Sequence, residues 1–273
     1  MTIDVVHLLQ ALLLGVVEGI TEFLPVSSTG HLILVGSWIG FKSDSSKVFE
    51  VVIQLGSILA VIWVYHQRVT NTVRGIFARD PVSLRFARNV LIGFIPSAII
   101  GALFINQIKA VLFDPRIVAY MLIIGGVIII LVERLAKPRA TSGPLGAEAI
   151  TWRQALGVGI AQCFAVIPGT SRSGATIVGG MLAGLSRKTA TEFSFFIAIP
   201  TMLGATTLDL WEHHSLITRG EALAIAVGFV AAFVSALLVV RALVHFVESH
   251  TLSVFGWYRV VLGAFLLLMA TMN

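Results

Sequence analysis

Residues 168–176 have the sequence Pro168-Gly169-Thr170-Ser171-Arg172-Ser173-Gly174-Ala175-Thr176 and lie at the centre of an apolar stretch, 152–186. A second apolar stretch, 3–41, is divided in the same way by Pro25-Val26-Ser27-Ser28-Thr29-Gly30. Non-helical backbone is tolerated at membrane depth only where it faces protein or a water-filled cavity. Each stretch therefore predicts a re-entrant hairpin, in which two short helices enter the membrane and turn back at a polar segment.

The composition predicts a membrane protein. Of the 273 residues, 57% are hydrophobic and 12% are charged, and the mean hydropathy is +0.94. Soluble domains carry about twice this fraction of charged residues. A helix needs about 20 apolar residues to span a bilayer, and six further stretches qualify: 49–65, 86–105, 117–132, 189–208, 221–240 and 254–271. We therefore expect an all-α polytopic membrane protein with six transmembrane helices and two re-entrant hairpins, forming a single integral membrane domain over 1–273.

Basic residues indicate how the chain is oriented. Loop 66–88 contains five arginines, and loop 133–153 contains three arginines and a lysine. Because Lys and Arg mark cytoplasmic loops, both loops are predicted to be cytoplasmic, and loops 106–116 and 209–220 external. Both termini then lie outside, the first hairpin enters from the outside and the second from the cytoplasm. The two polar segments can therefore meet near the midplane.

The layout also suggests an internal repeat, with halves of approximately 1–135 and 150–273. Each half contains one hairpin followed by three spans, and Pro25 and Ser28 in one can be aligned with Pro168 and Ser171 in the other. An odd number of spans per half inverts the second half relative to the first. The expected architecture is therefore an inverted-topology repeat.

Two glutamates lie in the first hairpin ahead of its polar segment. Glu18 and Glu22 are four residues apart, on one face of a helix and close to its C-terminal end. Like charges at this spacing repel, and the helix dipole adds to the cost for anions at this end. A divalent metal, Arg172 or a proton on one of the carboxyl groups is expected to compensate.

The polar segment that follows predicts a nucleophile and a proton carrier. Its hydroxyl groups can cap the second half-helix. Ser28 and His31 are three residues apart, so the serine and the imidazole share a helix face. This arrangement suits a nucleophile with its base, or a proton donor for a leaving group.

The polar segment of the second hairpin predicts an anion site. Pro168 and Gly169 break the incoming helix, and Ser171 or Ser173 can cap the next one. The free N–H groups of a helix N-terminus and the planar fork of Arg172 both match phosphate oxygens. If the two half-helix N-termini converge, the expected ligand is a multiply charged anion.

Two long motifs, Glu18-Gly-Ile-Thr-Glu22-Phe-Leu-Pro-Val-Ser-Ser-Thr-Gly-His31 and Pro168-Gly-Thr-Ser-Arg-Ser-Gly-Ala-Thr176, closely resemble the signature motifs of the BacA-type undecaprenyl-diphosphate phosphatases. The resemblance covers essentially the whole chain. It implies an enzyme of the bacterial inner membrane that removes the terminal phosphate of undecaprenyl diphosphate. The monophosphate carrier then returns to the synthesis of peptidoglycan and other envelope polymers. The resemblance also implies an association with bacitracin resistance, a divalent cation cofactor (Mg²⁺ or Ca²⁺) and a site that opens to the periplasm.

These inferences assign roles to the polar residues. We expect Ser28 to attack the terminal phosphorus, Glu22 and His31 to manage protons, and Arg172 to bind the diphosphate. A metal-activated water is the second candidate nucleophile, and the sequence does not choose between Ser27 and Ser28. Glu18 and Glu22 are the candidate metal ligands. Six residues are expected to bind the headgroup: Ser27, Thr29, Gly169, Ser171, Ser173 and Thr176.

A secondary transporter or flippase for an anionic substrate is the alternative, since inverted repeats with broken helices are typical of transporters. Paired glutamates, a serine and a histidine beside a phosphate site favour hydrolysis. The expected partners are the lipid substrate and membrane lipids, and not nucleic acid, because the basic residues that give the net charge of +5 are concentrated in loops. The oligomeric state, the native metal and the preferred prenyl length are left open.

Overall fold

The computed structural model describes residues 4–41, 46–112, 114–135, 146–213 and 219–272. Within these ranges the regular structure consists of eleven α-helices and two short 3₁₀ turns, at Gly146–Ala149 and Phe164–Val166. The α-helices are α1 Val5–Thr21, α2 Ser28–Ile39, α3 Ser46–Val64, α4 His66–Phe77, α5 Pro81–Leu112, α6 Pro115–Leu135, α7 Trp152–Cys163, α8 Arg172–Leu182, α9 Arg187–His213, α10 Arg219–Ser249 and α11 Ser253–Met272.

A helix is present at each of the six predicted spans. Five helices, namely α5, α6, α9, α10 and α11, are each long and apolar enough to cross a membrane. The sixth is α3, which is followed by α4 at an angle of 76°, and the two together also qualify as one bent span. The prediction of an all-α polytopic membrane protein is therefore confirmed. Parts of the predicted loops 106–116, 133–153 and 209–220 lie outside the described residues.

The two apolar stretches with polar centres each form a helical hairpin. Helices α1 and α2 contain 17 and 12 residues, and helices α7 and α8 contain 12 and 11 residues. At about 1.5 Å per residue, α2, α7 and α8 are each shorter than about 20 Å and cannot cross a hydrocarbon core of about 30 Å. These lengths agree with re-entrant hairpins. The side from which each hairpin enters and the inverted repeat stay predictions.

The second helix of each hairpin starts in the same way. Ser27 precedes α2 with φ 72°, and Ser171 precedes α8 with φ 71°. Each side chain caps its helix by accepting a hydrogen bond from the N–H three residues later, that of Gly30 or Gly174. Positive φ is uncommon outside glycine, so the shared conformation relates the hairpins closely. It aligns Ser27 with Ser171, which corrects by one residue the alignment of Ser28 with Ser171 made from sequence.

The first helix of each hairpin packs against a long helix of the other predicted half. Helix α1 lies along α10, and α7 lies along α5. Glycines bring the backbones close at both contacts: a Cβ on Gly15 would collide with the carbonyl O of Gly228, and one on Gly159 would lie 2.7 Å from that of Gly93. Small residues permit such contacts between membrane helices. Each hairpin is thereby fixed against the opposite half, and this brings the two turns together.

Candidate active site

The turn of the first hairpin, residues 22–27, places a carboxylate beside a hydroxyl group. Glu22 follows the last residue of α1, and Ser28 is the first residue of α2. The hydroxyl of Ser28 donates a hydrogen bond to Oε2 of Glu22 over 2.5 Å. Glu22 is buried, whereas Ser28 is half-buried. The group that contacts the predicted nucleophile is therefore Glu22.

His31 contacts other groups with both of its ring nitrogens. Its Nδ1 lies 2.7 Å from the carbonyl O of Ser27, and its Nε2 lies 2.6 Å from the hydroxyl of Tyr258. The side chain is 9% exposed. Ser28 and His31 share a helix face as predicted. The imidazole, however, contacts the backbone carbonyl of Ser27 and the hydroxyl of Tyr258 in α11.

Arg172 connects the second hairpin to the first. It is the first residue of α8, and its Nη2 donates to Oε1 of Glu22 over 3.1 Å. Its Nη1 donates to the carbonyl O of Ser194 over 3.3 Å, and its guanidinium lies over the ring of Phe23. The first residues of α2 and α8 therefore contact the same carboxylate, Glu22, from two sides.

The predicted headgroup hydroxyls of the second hairpin are hydrogen-bonded within the protein. The hydroxyls of Ser171 and Ser173 are 3.0 Å apart, and that of Ser173 donates to the carbonyl O of Leu24 in the first turn over 2.7 Å. Thr176 is fully buried, and its hydroxyl lies 2.6 Å from that of Ser194. Ser173 and Thr176 thus join the turns and the surrounding helices.

The remaining predicted binding residues lie at the turns themselves. Thr29 is the second residue of α2 and is half-buried, next to Ser28. Ser27 is buried and caps α2. Gly169 lies in the turn of the second hairpin, residues 164–171, with φ 90°, and a Cβ there would lie 2.5 Å from the carbonyl O of Val118. The close approach to α6 requires glycine at this position.

Two carboxyl groups form the predicted donor set for a cation. Glu18 and Glu22 are both buried and lie one helical turn apart, and Glu50 of α3 also acts electrostatically on Glu18. Carboxyl groups this close need a proton or a cation between them. No group of three or more His, Cys, Asp or Glu side chains in the described ranges forms a ready-made metal site. This set fits Mg²⁺, which commonly takes one or two carboxylates and completes its shell with water and substrate phosphates.

Sequence reasoning missed the residue that connects both turns to α6. Arg259 of α11 is fully buried. Its guanidinium donates to five backbone carbonyls, those of Pro25, Met121, Leu122, Gly169 and Thr170. Gly125 makes room for it, because a Cβ at that position would collide with the guanidinium.

A signal for Arg259 was present in the sequence. It is a charged residue inside the predicted span 254–271. Ionisable residues inside membrane spans are rare, and they are usually paired and functional. Arg172 likewise lies within an apolar stretch, 152–186. Tyr258, next to Arg259 and bonded to His31, had no such signal.

The assembled groups can carry out phosphoryl transfer. Glu22 is positioned to take the proton of the Ser28 hydroxyl, which already donates to it. Arg172 provides positive charge on the other side of the same carboxylate. Positioning a nucleophile and neutralising phosphate charge are the main requirements of this chemistry.

Comparisons with known proteins identify the family of the chain. Residues 11–265 match the family model described as bacitracin resistance protein BacA. A relative from Acinetobacter baumannii named undecaprenyl-diphosphatase is 59% identical over 264 residues, covering 97% of this chain and 96% of the relative. Undecaprenyl-diphosphatase 2 of Shewanella oneidensis is 58% identical over 260 residues, covering 95% and 97%. The undecaprenyl-diphosphatase of Bordetella petrii is 53% identical over 277 residues, covering 96% of both. By its sequence over nearly its full length, the chain belongs to the BacA family.

Proposed function

We propose that this protein hydrolyses undecaprenyl diphosphate to undecaprenyl phosphate and inorganic phosphate. The observation that carries the proposal is the position of Glu22. One of its oxygens accepts a hydrogen bond from the Ser28 hydroxyl, and the other accepts one from Arg172. Relatives that share more than half of their residues with this chain are named for this activity. The product is the lipid carrier that peptidoglycan and envelope polymer synthesis consume, and this recycling is the proposed link to bacitracin resistance.

In the first step, Oγ of Ser28 forms a bond to the terminal phosphorus. The bond between that phosphorus and the bridging oxygen breaks, and undecaprenyl phosphate leaves with the electron pair. The proton of the serine passes to Oε2 of Glu22, to which it already points. The product of this step is a phosphoserine at position 28 and a protonated Glu22.

In the second step, water attacks the phosphoserine. The water oxygen bonds to phosphorus, and its two protons leave with the inorganic phosphate. The proton that Glu22 carries returns to Oγ of Ser28 as the bond between Oγ and phosphorus breaks. Direct attack by water on the substrate is the second route, with Glu22 as the base for the water. Both routes use the same carboxylate, so they differ only in whether Ser28 is phosphorylated.

Arg172 is the residue proposed to bind the diphosphate. A guanidinium has five N–H groups, and three contacts of Arg172, to Glu22, Ser194 and Met202, each use one. The remaining N–H groups are available to phosphate oxygens. Ser27, Thr29, Gly169 and Ser171 lie in or next to the two turns and are the proposed neighbours of the headgroup.

A divalent cation, Mg²⁺ or Ca²⁺, is part of the proposal. Glu18 and Glu22 would bind it together with phosphate oxygens of the substrate, which suits the oxygen preference of both ions. When bound, it would neutralise charge on the diphosphate. The proposal also places the protein in the bacterial inner membrane, with substrate access from the periplasm, as the family resemblance implies.

Release of phosphate from a polyprenyl diphosphate by purified protein in detergent tests the function. We expect turnover without any membrane gradient, and loss of turnover in Glu22→Gln. Ser37→Ala is a control on the same hairpin, because Ser37 lies on α2 and its hydroxyl donates to the carbonyl O of Leu34 within that helix. A protein that binds the diphosphate and releases no phosphate would support the alternative, a transporter or flippase.

A further inference from the structure

Tyr258 forms a hydrogen bond with His31, and neither the sequence motifs nor the proposed reaction assigns Tyr258 a role. The Tyr258 hydroxyl lies 2.6 Å from Nε2 of His31, and the two rings are nearly parallel, with an interplanar angle of 7°. His31 is buried, whereas Tyr258 is 46% exposed. The pair connects α11 to the start of α2.

The hydrogen bonds define the tautomer of His31. Its Nδ1 lies 2.7 Å from the carbonyl O of Ser27. A carbonyl oxygen can only accept, so Nδ1 carries a proton. In the neutral imidazole Nε2 then has a lone pair, and the hydroxyl of Tyr258 donates to it. Two contacts therefore favour the Nδ1-protonated tautomer, and loss of the Tyr258 donor removes one of them, which makes the Nε2-protonated tautomer relatively more accessible.

The carbonyl that His31 contacts belongs to a residue in an unfavourable conformation. Ser27 has φ 72°, a value that needs support from the surrounding structure when the residue is not glycine. The contact with Nδ1 of His31 provides part of this support. Ser28 follows directly, so the conformation of Ser27 determines where the Ser28 hydroxyl points.

We propose that Tyr258 is a positioning residue for the nucleophile Ser28 and acts through His31. Its hydroxyl keeps the imidazole protonated on Nδ1, the imidazole keeps the carbonyl of Ser27 bound, and the Ser28 hydroxyl stays directed at Glu22. Tyr258 itself takes no part in bond making or breaking. This role deepens the proposed function and rests on it, since the kinetic effect is on phosphate release.

The first test does not depend on catalysis. Nitrogen NMR of protein labelled in its imidazole rings distinguishes the two neutral tautomers, and the His31→Gln variant identifies the His31 signals among those of the 7 histidines. We expect the Nδ1-protonated tautomer in the unsubstituted protein and a mixture of tautomers in Tyr258→Phe. An Nε2-protonated His31 in the unsubstituted protein would overturn the proposal.

The second test is kinetic. Tyr258→Phe keeps the ring and removes only the hydroxyl, so we expect kcat for phosphate release to fall about ten- to a hundredfold while KM stays nearly constant. Tyr120→Phe is the matched control, because Tyr120 of α6 is 54% exposed and belongs to no part of the site. An unchanged kcat, or a raised KM with an unchanged kcat, would contradict the positioning role.

Rescue distinguishes a lost donor from damaged packing. Incorporation of 4-aminophenylalanine at position 258 restores an N–H donor in place of the hydroxyl, and we expect it to recover both kcat and the Nδ1-protonated tautomer. Failure of both to recover in a protein that elutes as the unsubstituted form does would count against the proposal. Absence of phosphate release from the unsubstituted protein would instead refute the proposed function, and the tautomer measurement would still test Tyr258.

Discussion

Oε1 of Glu22 lies 3.1 Å from Nη2 of Arg172, although 150 residues separate the two along the chain. The two side chains are 6% and 11% exposed, so the ion pair is largely shielded from solvent. One partner comes from each hairpin. The pair therefore joins the two turns through charges that the proposed reaction also uses.

Glu22→Gln is expected to lower phosphate release by at least about a hundredfold, because the base for Ser28 is lost. The amide can still accept a hydrogen bond, so the protein should elute from a sizing column as the unsubstituted form does. Glu248→Gln is the control, since Glu248 forms an exposed ion pair with Lys188. Near-normal turnover in Glu22→Gln would show that Glu22 is not the base in the reaction.

Arg172→Lys keeps the positive charge and removes the planar fork. Because a lysine ammonium cannot bind Glu22, Ser194 and phosphate oxygens in the same geometry, we expect a clear loss of kcat/KM. Steady-state kinetics with a polyprenyl diphosphate measures this loss. A lysine variant with unchanged kcat/KM would show that only the charge matters.

Ser28→Ala distinguishes the two routes of hydrolysis. If Ser28 is the nucleophile, the variant is inactive, and rapid quenching of the unsubstituted protein traps a phosphoserine at position 28. Mass spectrometry of the quenched protein detects this modification. An active Ser28→Ala variant would exclude Ser28 as the nucleophile. Phosphate that carries oxygen-18 from water, released by this variant without any phosphoserine, would favour direct attack by water.

Arg259→Met is expected to destabilise the protein by about 3 kcal/mol or more, because hydrogen bonds from a charged group to five carbonyls are lost at once. Thermal unfolding in detergent measures the change. Arg241→Met is the control, since Arg241 lies on an exposed face of α10. Equal unfolding temperatures for the two variants would contradict the role assigned to Arg259.

Gly169→Ala is expected to destabilise the protein in two ways, through its positive φ and through a steric clash. Gly184→Ala serves to separate these two effects. Gly169 has φ 90° and a close contact with Val118, whereas Gly184 has φ 86° and open space around it. Gly184→Ala should therefore cost only the conformational strain, about 1–2 kcal/mol. We expect Gly169→Ala to lose clearly more stability, and turnover as well. Similar losses in both variants would show that α6 yields to the extra methyl group.

Removal of divalent cations with a chelator is expected to stop phosphate release, and Mg²⁺ or Ca²⁺ is expected to restore it. Glu18→Gln should raise the cation concentration needed for half-maximal activity, because one of the two proposed ligands is lost. A titration of activity against free cation measures this. Full activity in the chelated protein would exclude the proposed cation.

Much of this arrangement follows from local sequence. Apolar length predicts the helices, and Pro25 and Pro168 mark the breaks within the hairpins. The partner of Ser28 does not follow from helical spacing, because Glu22 lies at the start of the turn and Ser28 follows the turn as the first residue of α2. Tertiary contacts decide such pairs. Hydrophobic pattern and spacing along one helix contain no information on them.

The same limit applies to the hydroxyl groups of the second hairpin. Ser171, Ser173 and Thr176 were predicted to bind the headgroup, yet Ser173 and Thr176 are buried and bonded to Leu24 and Ser194. A hydroxyl group in an apolar segment can form its hydrogen bond with a ligand or with the protein itself. Only the packing of the neighbouring helices determines which of the two it does. The binding role of both residues stays a prediction.

The position of Arg259 in α11 determines when the two turns can be joined during synthesis of the chain. Its carbonyl partners in the two turns belong to residues 25, 169 and 170, which leave the ribosome long before residue 259 does. A nascent chain that lacks α11 contains both signature motifs without the guanidinium that joins them. The hydrolytic centre is therefore completed only when α11 inserts, after every other helix of the described fold has been made.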